Sequence, residues 1–283
     1  MIIHYVLVIS AALMFSLQFF FNQGYQKASG KGLSQSLNFT AYTSILTIFI
    51  MLVLGGFKVQ ISSLVIMISC INAINSILYS YAAIRAFEKA NLSVFSVFAM
   101  LGGMILPFLY GVIFNGEPMS WTKGACVVLI ILALAITIKG EKNIGRGVIF
   151  YIIVFISNGM GGVLSTIHQN SQNPVSSESY MIWKSIITVA VCAIIMLIVY
   201  KKIKFESWKA IKFTLGYGLF YGVGNLFLLI SLVHLSASVQ YPLITGGTMV
   251  FSTIISIVRR EKLTATTIIS AVLALGASIV IAL

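Results

Sequence analysis

Ten long apolar runs, separated by short polar breaks, dominate the sequence. They cover about residues 3–23, 38–54, 62–87, 92–114, 121–138, 146–169, 179–200, 211–233, 237–258 and 264–283. A helix needs roughly 20 mostly apolar residues to cross about 30 Å of hydrocarbon, and most of the runs approach or exceed that length. Charged residues make up 8% of the chain, against about 25% in soluble domains, which is too few to cover a soluble globule. The sequence therefore predicts an integral membrane protein.

The backbone of a spanning segment has to form its hydrogen bonds inside that segment or inside a closed barrel. None of the runs alternates apolar and polar residues as a barrel strand does, so we predict an all-α integral membrane fold with ten transmembrane helices. The longest polar break, Gln23–Ser36, is predicted to be a loop. No Lys or Arg precedes the first run, which we expect to be a retained helix rather than a signal peptide.

The basic residues are distributed unevenly between alternate loops. Fifteen of the 18 lie in odd-numbered loops: Lys27, Lys31, Arg85, Lys89, Lys139, Lys142, Arg146, Lys201, Lys202, Lys204, Lys209, Lys212, Arg259, Arg260 and Lys262. The other three are Lys58, Lys123 and Lys184, and the ammonium of Lys184 is expected to snorkel to a membrane interface. Because basic loops stay in the cytoplasm, we predict cytoplasmic odd-numbered loops and both termini outside, in a bacterial plasma membrane.

The net charge of +12 therefore reports topology and an attraction to anionic lipid, not nucleic-acid binding. The expected partners are a small-molecule substrate and membrane lipid, with the chain acting as a monomer or homodimer. Cys70, Cys126 and Cys192 all fall within apolar runs, at spacings that suit neither a disulfide nor a metal site. We expect no cofactor and no metal.

The sequence also contains an internal repeat. A shift of 144 positions aligns Glu117 with Glu261, and it aligns the pair Gly102-Gly103 with the pair Gly246-Gly247. This predicts two five-helix repeats within one membrane domain, residues 1–140 and 141–283. Since five is odd, the second repeat enters the membrane in the opposite sense, as in many secondary transporters.

Two segments resemble a known family. They are "FAMLGGMILPFLYGVIFNGEPMSWTKG", residues 98–124, and "YPLITGGTMVFSTIISIVRREKLTATT", residues 241–267. Both resemble the repeat of the drug/metabolite transporter superfamily in its ten-helix, EamA-type branch, although Phe98 stands where the second copy has Pro242. The resemblance implies a membrane transporter built from two related halves.

Glu117 and Glu261 each precede an apolar run. A carboxylate at a helix start accepts hydrogen bonds from free N–H groups and faces the positive end of the helix dipole. We expect the two residues to be structural and to stabilise the starts of the fifth and tenth helices.

Polar residues recur at helical spacing in the third and eighth runs, and such stripes are typical of helix contacts or of a water-filled path. Other runs contribute single amides and a tyrosine beside Pro242. The predicted substrate-binding residues are Gln18, Asn22, Asn72, Asn75, Tyr79, Asn158, Tyr217, Tyr221, Asn225, Gln240 and Tyr241. For each of them, an interhelical hydrogen bond is the competing explanation. Together they predict a site between the two halves.

No motif of a catalytic site occurs, so we do not expect an enzyme. The sequence favours a secondary transporter that moves a small polar or zwitterionic metabolite, such as an amino acid, by alternating access. Uniport or exchange is expected, because no acidic residue falls inside a run. The alternatives are a transporter of an organic cation such as choline or a drug, and a lipid-handling or scaffold subunit that transports nothing.

Overall fold

The computed structural model describes residues 2–30, 32–86, 92–139, 148–203, 205–260 and 265–282. Over these ranges the chain forms ten helices: α1 (Ile2–Ser29), α2 (Leu33–Leu54), α3 (Ser63–Ala86), α4 (Leu92–Phe114), α5 (Trp121–Lys139), α6 (Val148–Gln169), α7 (Ser177–Tyr200), α8 (Trp208–Leu232), α9 (Ala237–Val258) and α10 (Ala265–Ala282). Among the described residues, seven helices are long and apolar enough to cross a bilayer, and α4, α5 and α10 supply shorter apolar stretches. The all-α membrane prediction is confirmed.

Several features of the prediction fall outside the described residues. They are Glu88, Glu141 and Glu261, the basic residues Lys31, Lys89, Lys142, Arg146, Lys204 and Lys262, and the boundary between residues 140 and 141.

The predicted loop at Gln23–Ser36 is wrong, because α1 continues to Ser29 and α2 begins at Leu33. Tyr25 explains the difference. Its side chain is fully buried, its hydroxyl donates to the Gln35 carbonyl oxygen at 2.7 Å, and its ring lies 4.7 Å from that of Phe39. These contacts hold a polar but helix-compatible segment in helical form beyond the apolar run.

Serine side chains define the starts of two helices. The Ser179 N–H donates to Ser176 Oγ at 3.2 Å at the start of α7, and the Ala210 N–H donates to Ser207 Oγ at 3.3 Å at the start of α8. Each bond satisfies one of the N–H groups that a helix start leaves free. At its other end α7 stops at Lys201, whose φ of 57° is left-handed and cannot continue the helix.

The first five helices pack mainly on the last five. α1 contacts α8 and α9, α2 contacts α7 and α8, α3 contacts α6 and α7, α4 contacts α6 and α9, and α5 contacts α10. Large apolar side chains cover the outer surface, among them Phe49 and Ile198, each 65% exposed. In a bilayer these side chains face lipid, and the polar side chains are left to the inside.

Glycine permits a close contact between α4 and α6. A Cβ on Gly102 would collide with the backbone of Phe155, and a Cβ on Gly159 would lie 2.8 Å from the Cβ of Leu106. Small residues let helix backbones approach in this way, so Gly102 and Gly159 serve the packing of α4 on α6.

Glu117 does stabilise a helix start, but the helix is α9 rather than α5. Its two carboxylate oxygens accept hydrogen bonds from the Ala237 N–H at 3.1 Å and the Ser238 N–H at 2.9 Å. The start of α5 is instead capped by Ser120, whose Oγ accepts from the Lys123 N–H at 3.2 Å. The structural interpretation of Glu117 is therefore correct, and the predicted helix is wrong.

We expect Glu117→Gln to destabilise the protein by about 1–2 kcal/mol, because the amide lacks the charge and cannot accept at both of its terminal atoms. Thermal unfolding in detergent should start at lower temperature. Glu178→Gln is the matched control, since it removes the same charge from the first turn of α7, where Ser176 already supplies the cap. Equal effects of the two variants would contradict the assignment.

Candidate functional site

A polar cavity lies inside the helix bundle. Eight helices, all except α5 and α10, supply its described lining, and its volume is about 150 Å³. An engineered apolar cavity of similar volume binds benzene, so this space suits a small metabolite. Nine of the eleven predicted site residues line it: Gln18, Asn72, Asn75, Tyr79, Asn158, Tyr217, Tyr221, Asn225 and Tyr241.

The polar stripe of α3 faces the cavity along its length. Asn72 Nδ2 donates to the Tyr180 hydroxyl at 3.2 Å, and Asn75 Nδ2 donates to the Ser157 carbonyl oxygen at 2.8 Å. Tyr79 and Ser76 complete the stripe. Each amide thus uses its donor group on a neighbouring helix, which fixes its orientation toward the cavity.

The stripe of α8 consists of Tyr217, Tyr221 and Asn225, one turn apart. The two tyrosine rings stack at 5.6 Å with planes 14° apart, and Asn225 Nδ2 donates to the Tyr221 carbonyl oxygen at 2.8 Å. On the next face of α8, a Cβ at Gly218 would lie 3.0 Å from Leu46 Cδ2. This glycine lets α8 pack close to α2, with the aromatic stripe toward the cavity.

Gln18, Asn158 and Tyr241 join the lining from three other helices. Asn158 Nδ2 donates to the Ala99 carbonyl oxygen at 2.6 Å and the Tyr241 hydroxyl to that of Gly162 at 2.9 Å, so both also form the interhelical bonds of the competing explanation. Gln18 differs. Its Oε1 is buried and has no hydrogen-bond partner among the described residues, and this acceptor is therefore available to a ligand.

Asn22 and Gln240 are not part of the described lining. Both are buried, with exposed fractions of 2% and 0%, and Gln240 Nε2 donates to the Leu228 carbonyl oxygen at 2.7 Å. Gln240 therefore joins α9 to α8, whereas Asn22 Oδ1 has no hydrogen-bond partner among the described residues.

Lys184 is the residue that sequence reasoning missed. We expected its ammonium to snorkel to an interface, but the side chain is only 7% exposed and lines the cavity. Its Nζ lies 5.5 Å from the Tyr221 ring centre and 5.8 Å from that of Tyr180. The signal was present, because Tyr180, Lys184 and Thr188 form a buried stripe of the same four-residue spacing as that on α8.

His168 and His234 differ in their surroundings. His168 is 1% exposed, and its ring stacks on that of Tyr180 at 4.3 Å. His234 is exposed and lies 4.1 Å from the ring of His4. No group of three His, Cys, Asp or Glu side chains suited to a metal ion occurs in the part of the chain that the structure describes.

Comparisons with known proteins agree with this architecture. Residues 145–283 match the family model described as the EamA-like transporter family. A solved structure described as "Crystal structure of protein" is similar to the chain with a TM-score of 0.73, at 17% identity, and the match covers 99% of this chain and 98% of that one. No curated protein matches the chain. The likeness to the solved structure shows the fold, and the match of residues 145–283 to the EamA-like transporter family agrees with the resemblance seen in the sequence to the drug/metabolite transporter superfamily.

Proposed function

We propose that the protein is a secondary transporter that moves a small polar or zwitterionic metabolite, such as an amino acid, by alternating access. The observation that carries this proposal is the polar cavity, which two tyrosine–amide stripes, on α3 and α8, line from different halves of the chain. Polar side chains inside a membrane protein are costly, and they are typical of substrate paths.

The helix contacts support an inverted repeat of residues 1–140 and 141–283. The two halves can be compared by exchanging each of the first five helices with the helix five places later. The pair α1–α8 then corresponds to α6–α3, and the pair α4–α6 corresponds to α9–α1. All four of these helix pairs are in contact. This is the relation that two repeated halves would have, and because each half has five helices the second would be inverted.

Two loop contacts also correspond under this exchange. In the loop after α2, Gln60 Oε1 accepts from the Ser176 N–H at 2.8 Å, next to the start of α7. In the loop after α7, Glu206 Oε1 accepts from Asn38 Nδ2 at 3.0 Å, near the start of α2. Glu206 Oε2 also accepts from Ser29 Oγ at 2.6 Å. We propose that these loop contacts close the path at opposite membrane faces and open in turn.

The organic-cation alternative is weaker than the polar or zwitterionic one. The described lining contains the ammonium of Lys184 and no Asp or Glu, so a cation would meet a like charge at short range. A scaffold subunit remains the alternative from another class. It would bind no small solute, and the first experiment below separates it from a transporter.

Replacing a stripe residue by an apolar residue of similar size should abolish transport and leave the folded yield nearly unchanged. The variants are Asn75→Leu, Tyr79→Phe, Tyr221→Phe and Asn225→Leu. A thermal-shift screen of amino acids, amines and nucleosides on the purified protein finds the ligand, and uptake into reconstituted vesicles measures its flux. Thr214→Val is the control, because this buried hydroxyl of α8 bonds its own helix at Ala210. Normal transport by all four variants would place the path elsewhere.

The proposed orientation puts the odd-numbered loops in the cytoplasm. Single cysteines at the exposed positions Lys27 and Lys202 should resist a membrane-impermeant thiol reagent in intact cells, in a background that lacks Cys70, Cys126 and Cys192. A cysteine at Lys58, in an even-numbered loop, should react. The opposite labelling pattern would reverse the orientation.

We propose uniport or exchange rather than proton coupling. The described glutamates, Glu117, Glu178 and Glu206, lie in loops or in the first turn of a helix, away from the cavity lining. Flux into vesicles should need no pH gradient, and luminal pyranine should report no substrate-dependent pH change. Proton movement with substrate would contradict this.

A further inference from the structure

Lys184 is a buried cation inside the cavity. It lies seven residues after the start of α7 at Ser177, which places its Cα about 10 Å along the helix axis. The chain contains no Asp. Of its six Glu, the three that the structure describes lie outside the cavity lining. Within the described residues, no carboxylate therefore lines the cavity beside this ammonium.

An ammonium in such a place is costly unless a partner compensates its charge. The Tyr221 side chain forms a hydrogen bond with the ammonium, and the rings of Tyr180 and Tyr221 lie 5.8 and 5.5 Å from Nζ. These neutral groups compensate a cation only in part. The second lysine that is buried among the described residues is different. Lys123 is 8% exposed, and its Nζ donates to the Pro118 carbonyl oxygen at 2.9 Å, in the loop before α5. Lys123 has a structural partner outside the cavity, whereas Lys184 faces the space where a solute would sit.

We propose that Lys184 binds the carboxylate of the transported solute, and that this carboxylate compensates the charge of the buried ammonium. This inference rests on the proposed transport function and narrows its substrate to carboxylate-bearing metabolites. One fixed positive charge matches one carboxylate. A phosphate monoester carries about 1.5 to 2 negative charges at neutral pH. It would leave uncompensated negative charge in a cavity of about 150 Å³.

Gln18 supplies the complementary group for a zwitterion. Its Oε1 is buried without a partner among the described residues, and its side chain lines the same cavity from α1. A buried acceptor without a donor is unfavourable, and a substrate ammonium would satisfy it. The cavity thus offers a cation to a carboxylate and an acceptor to an amino group.

The test compares amino acids with their C-terminal amides on the purified wild-type protein. At about pH 6, below the α-amino pKa of roughly 7.7 in such compounds, the amide keeps the side chain and the α-ammonium and has a neutral group in place of the carboxylate. We expect at least one amino acid to raise the unfolding temperature, and the corresponding amide to bind about tenfold more weakly or worse. Inorganic phosphate, as a further probe, should not compete with the amino acid.

Variants test whether Lys184 causes the preference for the amino acid over its amide. Lys184→Met should lose the preference for acid over amide, while its ligand-free unfolding temperature stays the same or rises, because a buried charge is removed. Lys184→Arg should keep part of the preference. Lys123→Met, which removes a buried ammonium outside the cavity lining, should bind like wild type.

The outcomes separate the two proposals. If no amino acid, amine or nucleoside stabilises the wild-type protein or enters vesicles, the transport function falls and this inference falls with it. If a ligand binds but acid and amide bind equally, if phosphate competes, or if Lys184→Met keeps the wild-type preference, the carboxylate assignment alone is wrong. The comparison on wild type decides even if Lys184→Met does not fold.

Discussion

The whole structure depends on the cost of leaving a polar group without a partner in hydrocarbon. This cost makes every described span a helix, and it also directs the side chains. Thr47 Oγ1 bonds to the Thr43 carbonyl oxygen of its own helix at 2.9 Å, and Thr245 Oγ1 bonds to Met100 on a neighbouring helix at 3.2 Å. Polar side chains also line the cavity, where several bond neighbouring helices and Gln18 Oε1 has no partner among the described residues, which leaves it for water or a solute. The same constraint thus produces both the scaffold and its candidate site.

The helices could be predicted because hydropathy is local, so each apolar run reports its own environment. The stripes on α3 and α8 could be predicted for a similar reason, since a four-residue spacing fixes which side chains share a helix face. Tyr217 and Asn225 illustrate this. Their spacing in the sequence places them on one face of α8, and the structure adds which residues of other helices they contact.

What the sequence did not reveal depends on contacts between distant segments. Glu117 precedes α5 along the chain but bonds to α9, more than a hundred residues later. Tyr25 extends α1 through its contact with α2. Lys184 was misplaced because a lysine near the end of a span is compatible with both an interface and an interior. Its packing against Tyr221 places it in the interior. That contact is between two helices, α7 and α8, so the pattern of a single helix does not report it.

The contact between α1 and α9 has a consequence for synthesis. Ser16 Oγ donates to the Thr248 carbonyl oxygen at 3.0 Å, across 232 residues of chain. At 5 to 20 residues per second, the ribosome needs about 10 to 50 s to supply that partner after α1 has been made. The same hydroxyl also bonds to the Ala12 carbonyl oxygen at 2.9 Å within α1. The newly inserted helix therefore carries a local partner for its serine and can wait in the bilayer until α9 arrives.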